Sequence, residues 1–163
     1  MDQSRGYLQA MITSRDFLRL FGRPLEAAGY VRKGKAWYFR GKEIIFLIDL
    51  QKSDWSNSYH INLSFWILRL GEADFPKENH CHIQIRALSF FPDVREELDK
   101  ACDLDEGGIT EVDRQNFITN FVETRLLELG RMATLDGLKQ LYQGGALSRA
   151  LLFKEAKELL AAQ

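Results

Sequence analysis

The stretch from Trp37 to Leu68 alternates apolar and polar side chains, and a period of two decides which residues share a surface. Read as strands, Tyr59, Ile61, Leu63, Phe65 and Ile67 point one way, and His60, Asn62, Ser64 and Trp66 point the other. Upstream, Ile44, Phe46, Ile48 and Leu50 form a second apolar set, with Asp49 and Gln51 opposite it. The pattern predicts an antiparallel sheet with an apolar inner face and a polar, partly aromatic outer face.

Residues 36–40 are expected to pair with 43–52 through Gly41-Lys42, whose Gly-first order suits a type II′ turn. A polar loop over 53–57 carries Trp55, and 58–68 is the third strand. Residues 80–87 alternate again as a fourth, with Cys81, Ile83, Ile85 and Ala87 inward and His80, His82, Gln84 and Arg86 outward. Before the sheet, Phe17, Leu20, Phe21, Leu25 and Ala28 keep helical spacing between an N-cap at Ser14 and Gly29. Pro24 should kink this helix or begin a fresh turn.

After the sheet, Asp93 with Glu96 and Thr110 with Asp113 are capping-box pairs. The first opens a short helix toward Cys102. The second opens a long one that buries Ile118, Phe121, Val122, Leu126 and Leu129. Helices over 134–143 and 148–161 complete the chain. Strands in the first half and helices in the second predict an α+β fold, with one four-stranded antiparallel sheet packed against helices. Residues 1–163 read as a single domain, long enough to bury its own core.

With 22 basic against 23 acidic residues, the chain lacks the basic excess of a nucleic-acid binder. Arg32, Lys33 and Lys35 cluster at a strand entry and read as a solvated edge. The longest apolar run, 44–48, is too short to span a bilayer, and the opening Met-Asp-Gln-Ser-Arg-Gly has no signal-like stretch behind it. Two cysteines, Cys81 and Cys102, fit a reducing compartment better than a disulfide framework. A cytoplasmic location is therefore expected, with no nucleic-acid and no membrane partner.

Three segments carry a family resemblance. They are Gly29-Tyr30 with Arg32-Lys33 and then Trp37-Tyr38-Phe39; Leu50-Gln51-Lys52-Ser53 with Trp55; and Tyr59 with Ile61-Asn62-Leu63. In order and spacing these resemble the bacterial family called domain of unknown function 4304, over roughly the first half of the chain. The resemblance implies an α+β fold and no established reaction.

The candidate site lies on the outer sheet face. Gln51, His60, Asn62, His82 and Arg86 each fall on the polar side of their own strand, with Trp55 or Trp66 at the margin. Amides, imidazoles and a guanidinium together can recognise a polar ligand, and Arg86 could grip an anionic group at two points. His80 and His82 share a face that His60 could join, but the usual zinc spacings are absent, so no metal is assigned. Lys52 and Ser53 lack an orienting third group, so their expected use is to end the strand and hold the 53–57 loop. The Asp- and Gly-rich run at 103–108 lacks the ligand positions of a calcium loop and reads as a solvated turn.

No cofactor and no catalytic residue is implied. The expected function is non-catalytic binding of an unidentified polar ligand or protein partner. Two rivals stand beside it: a toxin immunity protein, by analogy alone, and a small hydrolase or transferase using His60, His82 and Arg86.

Overall fold

The computed structural model describes residues 12–162; the opening segment read for an export signal lies outside them. Helix α1, Ser14–Ala27, is capped one residue earlier than expected: Thr13, not Ser14, is the N-cap, and its hydroxyl accepts the Asp16 amide at 3.1 Å. One helix runs through Pro24, and it ends in a Schellman closure. There the Tyr30 amide reaches Leu25 O and the Gly29 amide reaches Glu26 O, with Gly29 at φ +96°.

Six strands form one antiparallel sheet in sequence order, two more than the expected four. They are β1 Val31–Lys33, β2 Ala36–Arg40, β3 Ile44–Lys52, β4 Tyr59–Ile67, β5 Ile83–Arg86 and β6 Leu151–Leu152. The additions are edge strands of three and two residues, too short to show a period. Strand β5 is also shorter than expected: Glu78–His80 is a 3₁₀ turn, and helix α2, Ala87–Phe90, follows directly.

The β2–β3 register pairs Arg40 with Ile45, so the hairpin tip is Lys42-Glu43 and not Gly41-Lys42. The slip is two residues along the partner strand, which preserves parity and leaves every side chain on its expected face. The Gly-first tip belongs to the preceding hairpin, where Lys33 pairs with Ala36 and Gly34 takes φ +63°.

The inner face carries the main core. Phe46, Ile48, Leu63 and Phe65 are fully buried, and the Phe46 and Phe65 rings stack at 4.9 Å. Helix α1 packs on this face through Phe17 against Tyr59 and Phe21 against Trp37. At the α1 crossing a Cβ on Gly22 would lie 2.5 Å from the Trp37 ring, so only glycine permits the approach.

Helix α3, Arg95–Cys102, lacks the expected Asp93 cap; Asp93 instead pairs with Arg125 at 2.5 Å. Thr110 does cap helix α4, Glu111–Phe121, accepting the Asp113 amide. That helix continues through a π turn, Val122–Leu126, into α5, Leu127–Arg131. Ile118, Phe121, Val122, Leu126 and Leu129 are buried along it as expected. Helices α6, Leu135–Gln143, and α7, Lys154–Ala161, follow. Residues 148–153, expected to be helical, instead hold β6.

The outer face is divided. At one end Ala36, Tyr38, Ile45, Leu47 and Cys81 form a second apolar cluster with Trp66 and Leu68. The β4–β5 connection folds across this end and is tied down by three hydrogen bonds. Tyr38 Oη donates to Pro76 O at 3.0 Å, Trp66 Nε1 to Gly71 O at 2.7 Å, and Arg40 to Ala73 O at 2.6 Å. Cys81, expected on the inner face, therefore belongs to the outer cover. The other end of the face stays polar and open.

Candidate functional site

The open end is built on three adjacent strands. Registers Asp49↔Asn62 and Asn62↔Arg86 set these side chains in one row across β3, β4 and β5, and Gln51↔His60 forms the neighbouring row. Asn62 is only 6 % exposed; its Nδ2 donates to Asp49 Oδ2 at 3.2 Å and to Gln51 Oε1 at 3.0 Å. With both amide protons committed, Asn62 is fixed as the floor of the site, and its carbonyl oxygen remains as an acceptor.

Above this floor lies a cleft of about 270 Å³ lined by Gln51, Asn62, Glu78, Gln84, Arg86 and Arg149, among others. The 3₁₀ turn after the outer cover brings in Glu78, and the chain entering β6 brings in Arg149. Gln84 Nε2 donates to Cys81 O at 3.0 Å, which turns its side-chain oxygen free. Among the described residues, Arg86, Arg149 and Glu78 make no ion pair within bonding range.

The electrostatics follow from burial and from these neighbours. Burial raises the Glu78 carboxyl above its ordinary value; the Asp49 charge adds to the rise and Arg86 opposes it. Burial also raises Asp49, against the Asn62 hydrogen bond and the Lys35 charge. His60 is held below its ordinary value by burial first and by Arg86 second, with Asp99 opposing. A half-buried carboxylate and two guanidiniums, unpaired among the described residues, thus face one solvent-filled space.

Gln51, His60, Asn62 and Arg86 are brought together as the strand parity predicted. His82 is not. It continues β5 past the Ile83↔Phe65 pair, opposite Trp66 and six residues along β4 from His60. At about 3.3 Å per residue that separation is roughly 20 Å. His82 is buried, its ring 4.3 Å from Trp66 and edge-on to Phe153 at 5.8 Å, and its Nδ1 accepts the Ile67 amide. The grouping of His60, His82 and Arg86 into one reactive centre does not form. Nor do the three histidines converge: among the described residues no three His, Cys, Asp or Glu side chains gather as a metal site would require.

Trp55 also stands apart from the cleft, 95 % exposed on the β3–β4 loop. The loop beneath it is well anchored. Lys52 Nζ donates to Asn57 Oδ1 at 2.9 Å and to Ser14 Oγ at 3.2 Å, and the Leu104 amide donates to Asn57 O. Lys52 and Ser53 hold the loop, as read from the sequence. The residues that sequence reasoning missed are Glu78 and Arg149. Both sit in irregular chain, where no periodicity reports orientation.

The fold and the cleft define a class: an α+β protein with a mixed-charge cleft on the outer face of an antiparallel sheet. The chain belongs to the family described as domain of unknown function (DUF4304), whose profile matches residues 21–129. The match runs well beyond the first half, through α4 and the π turn. All the named cleft residues except Arg149 fall inside it. No curated protein and no solved structure matches the chain. Among the described residues, no helix is long and apolar enough to cross a membrane.

Proposed function

We propose that this protein is a non-catalytic binding protein that takes a small polar ligand with an anionic group in the cleft over Asn62. The observation that carries the reading is that Arg86 and Arg149 line one cleft without pairing to any carboxylate of the described residues. Two planar forks over a fixed amide floor suit a carboxylate or a phosphate. The volume suits a metabolite better than a polymer. A cytoplasmic location and a bacterial source go with this reading. The two buried free thiols, Cys81 and Cys102, both pushed up to about 12 by burial, support a reducing compartment.

The test is an NMR titration of the amide spectrum with a panel of small carboxylates and phosphates. Shifts should concentrate at Asn62, Gln84 and Arg86. A panel that moves none of these resonances at millimolar concentration would overturn the reading.

A second reading, a protein partner such as a toxin to be neutralised, is favoured by Trp55. A nearly fully exposed tryptophan on an anchored loop is the type of side chain that dominates protein–protein contacts. Pull-down by the wild type and not by Trp55→Ala, with the NMR panel silent, would favour this reading over the first.

A further inference from the structure

Hydrogen-bonding capacity across the cleft is uneven, and that unevenness selects a ligand. On the floor, Asn62 on β4 and Gln84 on β5 each keep a free acceptor, while Gln51 accepts from Asn62 and keeps its amide donors. Asn62 spends both amide protons on Asp49 and Gln51, and Gln84 spends one on Cys81 O. Among the described residues the side-chain carbonyl oxygens of Asn62 and Gln84 accept no bond and Glu78, beside them, makes no ion pair. At the rim, Arg86 and Arg149 offer only donors. The charges of Glu78 and Arg86 act on one another, yet no ion pair closes the gap between them.

A simple anion would satisfy the arginines and leave Asn62 Oδ1, Gln84 Oε1 and Glu78 without donors. A simple cation would do the reverse. Half-buried polar groups left without partners cost free energy, so the occupant that fits carries both kinds of group on a short frame.

We infer that the cleft binds a small zwitterion of the amino-acid class. Its carboxylate lies on Arg86 and Arg149, and its ammonium lies over Asn62 Oδ1, Gln84 Oε1 and Glu78. This rests on the binding reading above and narrows it to one ligand class. The ammonium supplies three donors to a site with at least three free acceptors, and the carboxylate supplies the two-point acceptor that a guanidinium matches. The cleft's size suits a free amino acid or a dipeptide, with the side chain directed toward the open rim.

The experiment titrates the wild-type protein with the proteinogenic L-amino acids one at a time, following amide shifts. The binding ones are then retested as N-acetyl derivatives, which lack the ammonium, and as carboxamides, which lack the carboxylate. Blocking either end should weaken binding about tenfold or more, the usual worth of a charge-assisted hydrogen bond. Glu78→Gln should reproduce the loss for the free amino acid and leave the N-acetyl derivative unaffected. Arg86→Gln should weaken both, with a dispersed amide spectrum confirming the fold of each variant. An N-acetyl derivative that binds as tightly as its parent would overturn the zwitterion and leave an anion site standing. So would a protein that answers to simple carboxylates or phosphates and to no amino acid. Silence toward amino acids and simple anions alike would remove the binding reading as well.

Discussion

His82 Nδ1 accepts the backbone amide of Ile67 at 2.9 Å, which fixes the ring as a neutral tautomer at the junction of β4 and β5. The same residue's carbonyl takes the Phe153 amide at 2.9 Å, so the histidine also ties the chain entering α7 to the sheet. Protonating Nδ1 would remove an acceptor from a buried donor and place a charge between Trp66 and Phe153.

A pH dependence of stability follows. Burial lowers the folded-state value of His82, with Glu155 opposing, so below about 6.5, the ordinary histidine value, the unfolded chain binds the proton more readily. Stability is then full above that pH and falls as pH drops toward the lowered folded value. His60 acts in the same direction. Denaturation midpoints across pH 5 to 8 should show the fall, and His82→Gln should flatten it. A His82→Gln slope equal to that of wild type would refute the assignment.

Arg114 is a buried structural charge, 1 % exposed. Its guanidinium pairs with Glu111 at 3.0 Å and donates to Ala101 O at 2.6 Å and Asp103 O at 2.9 Å, closing the C-terminus of α3. Asp103 in turn bridges to Ser58, at the base of the Trp55 loop. Arg114→Ala should cost about 3–5 kcal/mol, the usual range for breaking a buried pair. Urea unfolding measures it; a loss under about 1 kcal/mol would mean that water replaces the fork.

Phe65 tests the inner face. Its ring is fully buried and stacked on Phe46. Phe65→Ala should destabilise by about 3–5 kcal/mol, and an unchanged melting temperature would show that the face is not packed as described.

Strand parity carried most of the reading from sequence to site: alternation puts Asp49, Gln51, His60, Asn62 and Arg86 on one face, and the strand register sets them in adjacent rows. The covered half of the outer face was not expected, although β3 carries a signal for it. Ile45 and Leu47 interrupt the alternation of β3, and a continuous apolar run marks a strand buried on both faces. His82 had the parity of a site residue, yet parity reports a face and not a position along it. The ladder places it at the far end, under an aromatic cover that the sequence of the β4–β5 connection does not announce. Glu78, Arg149 and the two edge strands lie in segments too short or irregular for any period to form. The Gly-Lys dipeptide occurs twice, and only the strand register distinguishes the tip at Gly34 from the shoulder at Gly41.

The cleft charges should be separable from stability. Arg86 is exposed and makes no side-chain hydrogen bond or ion pair with the described residues, so Arg86→Ala should move the melting temperature little, within about 0.5 kcal/mol of stability. Glu78 differs in sign. Its folded value is raised, so the folded chain holds the proton more tightly, and stability declines as pH rises from the ordinary carboxylate range through the raised value. At neutral pH the charged form is therefore a cost to the fold, and Glu78→Gln should leave the melting temperature unchanged or higher. It should also reduce the decline between acid and neutral pH. Differential scanning calorimetry of both variants at two pH values provides the check. A clear fall in melting temperature for Glu78→Gln at neutral pH would mean that the carboxylate holds the β4–β5 connection in place, and its role in the cleft would have to be abandoned.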